Sequence, residues 1–330
     1  MPRVSVIILN YDGRRWLRAC LDALHAQVDA PEFETLVVDN GSIDDSVAIV
    51  RKSYPWARVI ASSSNRGFAG GNNFGVSHAH AEWLVFLNND TIADSNWLQR
   101  LWAAGNAHGE YSLLASRLVF MHDPSIVDSA GDGYLRAGGA FKHGHGAPAD
   151  AFMESREVFG ACGGALMIRR SAFDELGGFD ERFFMQYEDV DLSYRARLRG
   201  MRTLYVADAI VHHAGSGSLG TVTPAAVYYG QRNLEWTWIK NTPGRLLLKT
   251  AIPHAIYSLA GVLHYIRLGR GASVLRAKFD ALRGLPAVLA DRRRVQAERR
   301  VEIEDLARWM EPRWFAAKRR EKTFISSRRT

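Results

Sequence analysis

Two acidic residues that follow apolar runs are the side chains of this sequence best placed to bind a ligand or a metal ion. Asp39 comes after the run 36–38, and Asp90 comes after the run 85–89. A carboxylate at the end of a buried strand faces the crevice where parallel sheets bind their ligands. There, Asp39 could accept a hydrogen bond from a base or ribose, and Asp90 could hold a hard divalent cation that bridges a diphosphate. Each acid could alternatively cap the helix that follows it.

A second acidic cluster consists of Glu188, Asp189 and Asp191 at the start of a predicted helix. Acids at this end of a helix benefit from its dipole. Carboxylates crowded together also raise one another's pKa, which suits a general base. His212 and His213 follow another predicted strand, where a neutral imidazole could complete a metal site or serve a structural role.

The segment 65–73 (Asn-Arg-Gly-Phe-Ala-Gly-Gly-Asn-Asn) is rich in glycine and opens a predicted helix. Its glycines allow close backbone approach to a ligand, and a helix N-terminus favours a phosphate or a sugar hydroxyl. A left-handed turn is the alternative explanation. The turn at 10–13 contains no G-x-G-x-x-G pattern, and the chain contains no P-loop motif. A dehydrogenase-type dinucleotide site is therefore disfavoured and an ordinary P-loop is excluded.

The first 120 residues alternate between short apolar runs and segments of helical period. Strands are predicted at 4–9, 35–39, 57–61, 83–88 and 113–120, and helices near 14–27, 44–53, 70–80 and 94–104. Strands buried on both faces, with helices between them, indicate a parallel, doubly wound α/β sheet. Residues 121–159 are interpreted as a loop region over the site, followed by regular structure at 158–170, a helix at 188–199 and a strand at 202–206.

The composition is that of a folded protein with a large core. Of the 330 residues, 47% are hydrophobic and 23% are charged, which excludes a disordered or fibrous chain. The two cysteines, Cys20 and Cys162, make no disulfide framework and are expected to be buried thiols of a reducing compartment. The N-terminal apolar run is too short for a signal peptide and is interpreted as the first strand, so a cytosolic location is expected.

Basic residues concentrate in the segment 267–330, which has 18 Lys and Arg against 8 Asp and Glu. Such a tail favours an anionic partner, either a membrane surface or nucleic acid, unless it is a solvated helical face. Residues 246–266 resemble a membrane span but are interrupted by Lys249, Pro253, His254 and His264. An amphipathic helix lying in the bilayer interface fits better than a span, with a helical appendage packed on the body as the alternative.

The order of these motifs resembles the inverting family 2 glycosyltransferases, which have the GT-A fold. The matching segments are 4–11, 37–42, 65–73, 87–90, 163–165, 188–191 and His213, and they fall in the family's order. Within the family, the segment 65–73 is most similar to bacterial rhamnosyltransferases that use dTDP-L-rhamnose. The arginine-rich tail is similar to the membrane-associated C-terminal region of those enzymes.

The resemblance implies roles for individual residues. Nucleotide and donor contacts are implied for Asn10, Tyr11, Asp39, Asn65, Gly67, Phe68, Asn72, Asn88, Asn89 and Arg232. The family's D-x-D motif falls on residues 88–90, so Asp90 would be the main metal carboxylate and His213 the metal-binding histidine. Because the first acid of that motif is Asn here, lower metal affinity is implied. Asp189 matches the catalytic base, with Glu188 beside it, and Gly163, Gly164 and Asp191 would line the acceptor and sugar region.

The resemblance also implies a domain layout and an activity. A GT-A domain over 1–242 would have a nucleotide-sugar-binding half (1–120) and an acceptor-binding, catalytic half (121–242), followed by a basic, membrane-associating helical extension (243–330). The implied activity is inverting transfer of L-rhamnose from dTDP-L-rhamnose to a lipid-linked or cell-surface glycan. Mg²⁺ or Mn²⁺ would assist the reaction, and the protein would be peripheral on the inner face of the cell membrane.

Alternatives to this activity stay open at the level of sequence. The same chemistry could use a UDP-hexose or UDP-galactofuranose donor. A non-catalytic nucleotide-sugar-binding scaffold would share the fold, although such a protein would be free to lose Asp90, Asp189 and His213. A nucleic-acid partner is not expected, because the tail lacks the aromatic interleaving of a recognisable RNA-binding module.

Overall fold

The computed structural model describes residues 1–215 and 223–326, so parts of the predicted domains (216–222 and 327–330) lie outside the described residues. The strands are β1 Val4–Asn10, β2 Phe33–Asp39, β3 Ala57–Ala61, β4 Trp83–Asn88, β5 Thr91–Ala93, β6 Tyr111–Phe120, β7 Asp123–Ser129, β8 Asp132–Leu135, β9 Ala140–Lys142, β10 Arg156–Val158, β11 Ala165–Arg169, β12 Arg202–His213 and β13 Met310–Glu311. The helices are α1 Leu17–His25, α2 Ser46–Ser53, α3 Gly67–Val76, α4 Trp97–Ala107, α5 Arg170–Leu176, α6 Glu188–Leu198, α7 Pro224–Asn241, α8 Gly244–Arg267, α9 Gly271–Arg283, α10 Leu285–Ala297, α11 Ile303–Arg308 and α12 Trp314–Ser326.

The central sheet has the strand order β3-β2-β1-β4-β11-β6-β12-β10. Its first half is parallel, and the register pairs Asn10 with Asp39 and Leu9 with Asn88. The carboxyl ends of β1, β2 and β4 therefore meet at one edge of the sheet. This is the edge at which the sequence predicts a ligand crevice.

The predicted α/β class is confirmed, and the strands predicted within the first 120 residues run parallel to one another, whereas later strands add antiparallel pairs. β11 runs antiparallel to both of its neighbours, β4 and β6, and β10 runs antiparallel to β12. The residues of β11 are buried almost throughout. A fully buried strand is apolar along its whole length whichever way it runs, so its hydrophobic pattern carries no information about direction.

Helices cover both faces of the sheet. Val6 and Ile8 pack on one side with Leu21 and Trp97 of the covering helices, whereas Ile7 of the same strand packs on the other side. All five side chains are fully buried. The alternation follows from the two-residue period of a strand, and it explains why β1 is apolar at nearly every position.

The segment 121–159, predicted to be a loop region, contains β7, β8, β9 and β10. β8 pairs with β9 and with β13 to form a small second sheet. These strands are only 3 to 7 residues long and are separated by turns, one of them at Gly138 with φ +92°. Runs this short do not produce a readable period in the sequence, which is why the prediction missed them.

The C-terminal extension packs on the α/β body. Trp236 of α7 contacts Ala281 of α9 and Val288 of α10, and its indole N–H donates to the Ala281 carbonyl (3.1 Å). β13 adds a strand to β8. The predicted helical character of the extension is thus confirmed, and within the described residues α8 is the one helix long and apolar enough to cross a membrane by length and composition.

Candidate active site

The carboxyl ends of β1 and β2 form the first wall of the site. Asn10 is fully buried, and Asp39 has 8% of its surface exposed. The Asn10 amide donates to the Ser42 hydroxyl (3.1 Å), and its oxygen accepts from the Asn89 amide (3.2 Å). Asp39 accepts from the Ser42 backbone N–H (3.1 Å), and Tyr11 lies half exposed beside this wall. Asn10, Tyr11, Asp39 and Asn89 are therefore brought together, as the sequence predicted.

The glycine-rich segment lies against the turn that precedes α6. Gly67 has φ +69°, and a Cβ there would clash with the carbonyl oxygen of Phe184. The Phe68 N–H donates to that same oxygen. Asn65 accepts from the Gly67 N–H (2.8 Å), and the buried Asn72 donates to the Phe68 carbonyl (2.9 Å). Asn65 and Asn72 thus hold the backbone of this segment, and the glycine provides a close approach between two chain segments.

Asp90 and His213 meet through the pairing of β5 with β12, whose register places His213 opposite Thr91. The Asp90 Oδ1 atom lies 3.5 Å from His213 Nε2. Asn88 ends β4 and donates its N–H to the Gly164 carbonyl (3.0 Å). The two residues predicted to bind a metal are therefore neighbours, although 123 positions separate them in the sequence.

Asp128 of β7, which the sequence analysis missed, orients His213. His213 Nδ1 lies 2.8 Å from the Asp128 carboxylate, so Nδ1 carries the proton and Nε2 points to Asp90. Burial disfavours a charged imidazole, but the hydrogen bonds to Asp128 and Asp90 outweigh it and raise the pKa of His213 to about 9. Lys142 binds Asp128 in turn (2.9 Å). Asp128 is one of many polar residues in a segment without clear periodicity, so its sequence offered no signal.

The residues at this point fit a divalent cation. Asp90 and His213 offer one carboxylate oxygen and one imidazole nitrogen that converge. A carboxylate bound to the other imidazole nitrogen, as Asp128 is, is the usual support of a metal-binding histidine. The mixed oxygen and nitrogen set suits Mn²⁺ better than Mg²⁺, because Mg²⁺ prefers oxygen ligands throughout.

Asp189 occupies the first turn of α6, and its carboxylate is held by backbone amides. Oδ2 accepts from the Gly163 N–H (2.7 Å) and Oδ1 from the Val190 N–H (2.7 Å). A Cβ on Gly163 would lie 3.2 Å from both Asp189 Oδ2 and the Phe68 ring, so these three residues are in contact range. Burial raises the pKa of Asp189, and the two amide hydrogen bonds oppose that rise.

The neighbouring Glu188 differs from Asp189 in the hydrogen bonds that its carboxyl group accepts. Its Oε2 is buried and has no hydrogen-bond partner. Burial first, and the charge of Asp189 second, raise the pKa of Glu188 well above its usual value. Of the two predicted catalytic acids, Asp189 is thus the one whose ionised form the protein supports.

Asp132 and Cys162, also missed by the sequence analysis, complete this acidic pocket. Each has a potential ligand atom, and these atoms and that of Asp189 all lie within 4.8 Å of one another. Burial and the charge of Asp189 raise the pKa of Asp132 to about 8. A carboxyl group whose pKa is raised thus lies next to the Asp189 carboxyl group that the backbone amides hold.

Arg232, for which the resemblance implies a place near the diphosphate, contacts the backbone of the turn that precedes α6. Its guanidinium donates to the carbonyls of Arg182 (2.6 Å) and Phe183 (3.3 Å). The next residue, Asn233, is fully buried and donates to the carbonyls of Phe183, Met185 and Gln186 at 2.7 to 2.9 Å. Arg232 and Asn233 together stabilise the turn before α6. No local sequence pattern predicts this role.

Asp191 is a structural residue rather than a lining of the acceptor region. It is fully buried and is bound by Arg195 (2.8 Å), Lys240 (2.7 Å) and Asn241 (2.8 Å). Because α6 turns by about 100° per residue, Asp191 faces away from Asp189 toward α7. Its partners already satisfy both of its oxygens, so it has no free acceptor for a sugar hydroxyl.

Structures of known glycosyltransferases share this architecture. The chain matches S. aureus TarS in complex with UDP-GlcNAc with a TM-score of 0.58 and 20% identity, covering 90% of this chain and 88% of that one. It matches the mannosyltransferase PcManGT of Pyrobaculum calidifontis, in complex with GDP-Man and Mn²⁺, with a TM-score of 0.52 and 18% identity over 90% and 84% of the two chains. These matches confirm the predicted GT-A fold.

Two sequence relatives agree with these structural matches. The O-antigen biosynthesis protein RfbC of Myxococcus xanthus is 29% identical over 69% of this chain, although the match spans only 18% of RfbC. The N-acetylglucosaminyl-diphospho-decaprenol L-rhamnosyltransferase of Mycobacterium tuberculosis is 27% identical over 66% of this chain and 78% of that protein.

The family model for glycosyl transferase family 2 matches residues 5–177, which is more than half of the chain. That range contains the strand-end wall at Asn10 and Asp39, the glycine-rich segment and Asp90. The chain therefore belongs to glycosyl transferase family 2.

Proposed function

We propose that this protein is an inverting glycosyltransferase that moves a sugar from a nucleoside diphosphate to an acceptor hydroxyl. The observation that carries the proposal is the carboxylate of Asp189, which two backbone amides stabilise in a pocket lined by Phe68 and Gly163. A base so placed is what a direct displacement requires, since the acceptor hydroxyl must lose its proton as it attacks.

In the proposed reaction the acceptor oxygen attacks the anomeric carbon of the donor from the face opposite the diphosphate. The proton of the acceptor hydroxyl passes to Asp189. The bond between the anomeric carbon and the diphosphate oxygen breaks, the electron pair leaves with the nucleoside diphosphate, and the anomeric configuration inverts. A divalent cation held by Asp90 and His213 would supply Lewis-acid stabilisation of the leaving diphosphate. The wall of Asn10 and Asp39 would bind the nucleoside.

For the donor we favour dTDP-L-rhamnose. The name of the mycobacterial relative, an L-rhamnosyltransferase, supports this choice, as does the similarity of residues 65–73 to rhamnosyltransferases. A UDP-hexose or UDP-galactofuranose is the second candidate, and the TarS complex with UDP-GlcNAc on the same fold favours keeping it.

A donor screen tests the proposal. Purified protein with Mn²⁺ is incubated with a panel of dTDP- and UDP-sugars, and release of free nucleoside diphosphate is followed. Donor hydrolysis or transfer with one sugar, absent in Asp189→Asn, is the expected result. Binding of nucleotide sugars without turnover of any donor, in the presence of extracts containing lipid-linked glycans, would instead indicate a non-catalytic scaffold.

For the acceptor we favour a lipid-linked glycan reached from the inner face of the cell membrane. The net positive charge of 267–330 supports a location at an anionic surface. The name of the mycobacterial relative includes a decaprenol-linked acceptor. Fractionation of cells expressing the protein tests this location, with recovery in the soluble fraction as the contradicting outcome.

A further inference from the structure

The outward side of α8 is an apolar surface that nothing in the described chain covers. Leu248 and Ile252 are 79% and 75% exposed, and Ile256, Leu259 and Leu263 continue the same side at helical spacing with 45 to 59% exposed. Between positions 251 and 263, every exposed residue of α8 is uncharged. Contiguous apolar surface of this extent marks an interaction site.

The exposed side of α9 has the same character. Leu275, Phe279 and Leu282 are 57 to 69% exposed. The opposite side of the helix is buried on the body through Val274 and Ala281, among others. α8 and α9 are consecutive, are joined by a short turn, and pack on each other. The exposed apolar residues of the two helices are called the apolar face below.

The inward side of α8 is tied to the body by a buried charged network. Glu235 of α7 accepts from His254 (2.7 Å) and Ser258 (2.7 Å) of α8, and from Lys278 of α9 (2.5 Å). Glu235 and His254 are largely buried. If α8 left the body to cross a bilayer, these charged groups would lose their partners, and α8 would carry His254 into hydrocarbon.

Unpaired cations surround the apolar face. Arg245 and Lys249 lie near the start of α8, Arg267 at its end and Arg283 at the end of α9, and none forms an ion pair with a described residue. Other arginines of the tail, one of them in α9, are paired with nearby acids: Arg276 with Asp280, Arg294 with Asp291, Arg300 with Glu175, Arg308 with Asp305 and Arg313 with Glu311. These four cations therefore flank the helices of the apolar face, which matches the chemistry of an anionic phospholipid surface.

From this arrangement we infer that α8 and α9 insert their apolar face into one leaflet of an anionic bilayer while their inner sides stay docked on the body. The helices lie in the membrane plane, and neither crosses it. Apolar insertion, more than the charge of the tail, holds the protein there. The inference deepens the proposed membrane location, and because it requires no sugar chemistry, it stands or fails independently of glycosyl transfer.

Vesicle sedimentation tests the surface. With vesicles of phosphatidylglycerol and phosphatidylethanolamine, the double variant Ile252→Ser/Leu259→Ser should bind about 100-fold more weakly than the wild type, about tenfold for each aliphatic side chain. The matched control, Val28→Ser/Ile43→Ser, removes two apolar residues of the catalytic body that are 53% and 93% exposed and should bind normally. Circular dichroism should show the same fold in all three. Equal binding by the two double variants would overturn the inference.

Salt dependence separates apolar insertion from attraction of the tail. We expect 1 M KCl to weaken vesicle binding only in part, because salt screens the four cations but not the apolar contact. Complete release by salt would overturn the inference. So would a discrete dimer in lipid-free solution that fails to bind vesicles, since a second copy of the chain would then cover the face.

Cysteine labelling separates a helix lying on the membrane from a span. In sealed vesicles prepared from expressing cells, Gly244→Cys and Leu268→Cys place a thiol at each end of α8. An impermeant thiol reagent should reach both ends from the cytosolic side and neither from the other side. Labelling of the two ends from opposite sides would show a span and overturn the inference.

Discussion

Replacing Asn233 with alanine should lower the turnover of the enzyme, although Asn233 acts only through the turn that precedes α6. The Asn233 side-chain amide donates to the carbonyls of Phe183 (2.9 Å), Met185 (2.9 Å) and Gln186 (2.7 Å), and it is fully buried. This turn leads directly into the first turn of α6, where Asp189 lies. The amide is therefore the support that connects α7 to the position of the proposed base.

The magnitude follows from the hydrogen bonds and the strain of the turn. Each lost hydrogen bond contributes about 0.5–1.5 kcal/mol, and buried carbonyls without donors add a penalty, so a loss of about 2–4 kcal/mol of stability is expected. Phe184, Gln186 and Tyr187 have φ of +63°, +68° and +70°, and each such non-glycine conformation costs about 1–3 kcal/mol. Without its brace the turn should relax. A shift of about 1 Å at Asp189 would lower turnover by about 10²-fold.

Two measurements on matched variants check this reasoning. Thermal unfolding gives the stability, and initial rates below the unfolding range give kcat. Leu24→Ala serves as the control, because Leu24 is fully buried in α1 and its loss costs a comparable 2–5 kcal/mol far from the turn. Asn233→Ala should lose turnover and Leu24→Ala should keep it. Equal kcat in both variants would refute a positioning role for Asn233.

Other predictions concern the base and the cation. Asp189→Asn should keep the fold and donor binding but lower kcat by about 10²–10⁴-fold; near-normal kcat would move the role to Glu188. Because burial raises the pKa of Asp189 and the base acts ionised, kcat should fall with decreasing pH at a midpoint above the usual value of about 4, and a lower midpoint would contradict the assignment. Asp128→Asn should weaken Mn²⁺ binding about 10–100-fold by calorimetry, with Tm measured alongside; unchanged affinity would mean that His213 needs no such support. Excess chelator should abolish transfer, and Mg²⁺ or Mn²⁺ should restore it; full activity in chelator would exclude a metal role for Asp90.

Much of the first 120 residues, which carry the strand-end wall of the site, could be predicted from the sequence. The strands β1, β2 and β4 are apolar runs bounded by polar turns, because strands buried on both faces need apolar residues throughout. Asn10, Asp39 and Asp90 follow these runs directly. Since parallel strands end at a common edge, local pattern alone was enough to place these three residues together.

The remainder of the site depends on contacts between segments far apart in the chain. Asp128 reaches His213 across 85 positions, and Asn233 reaches the turn before α6 across 47 to 50 positions. The direction of β11 and the buried, saturated state of Asp191 also come from such pairings. The hydrophobic period of a segment predicts which of its residues are buried. It does not predict the segment against which they pack. That choice is made by long-range packing, and so only the tertiary structure shows which acids face the candidate site and which are bound by partners inside the fold.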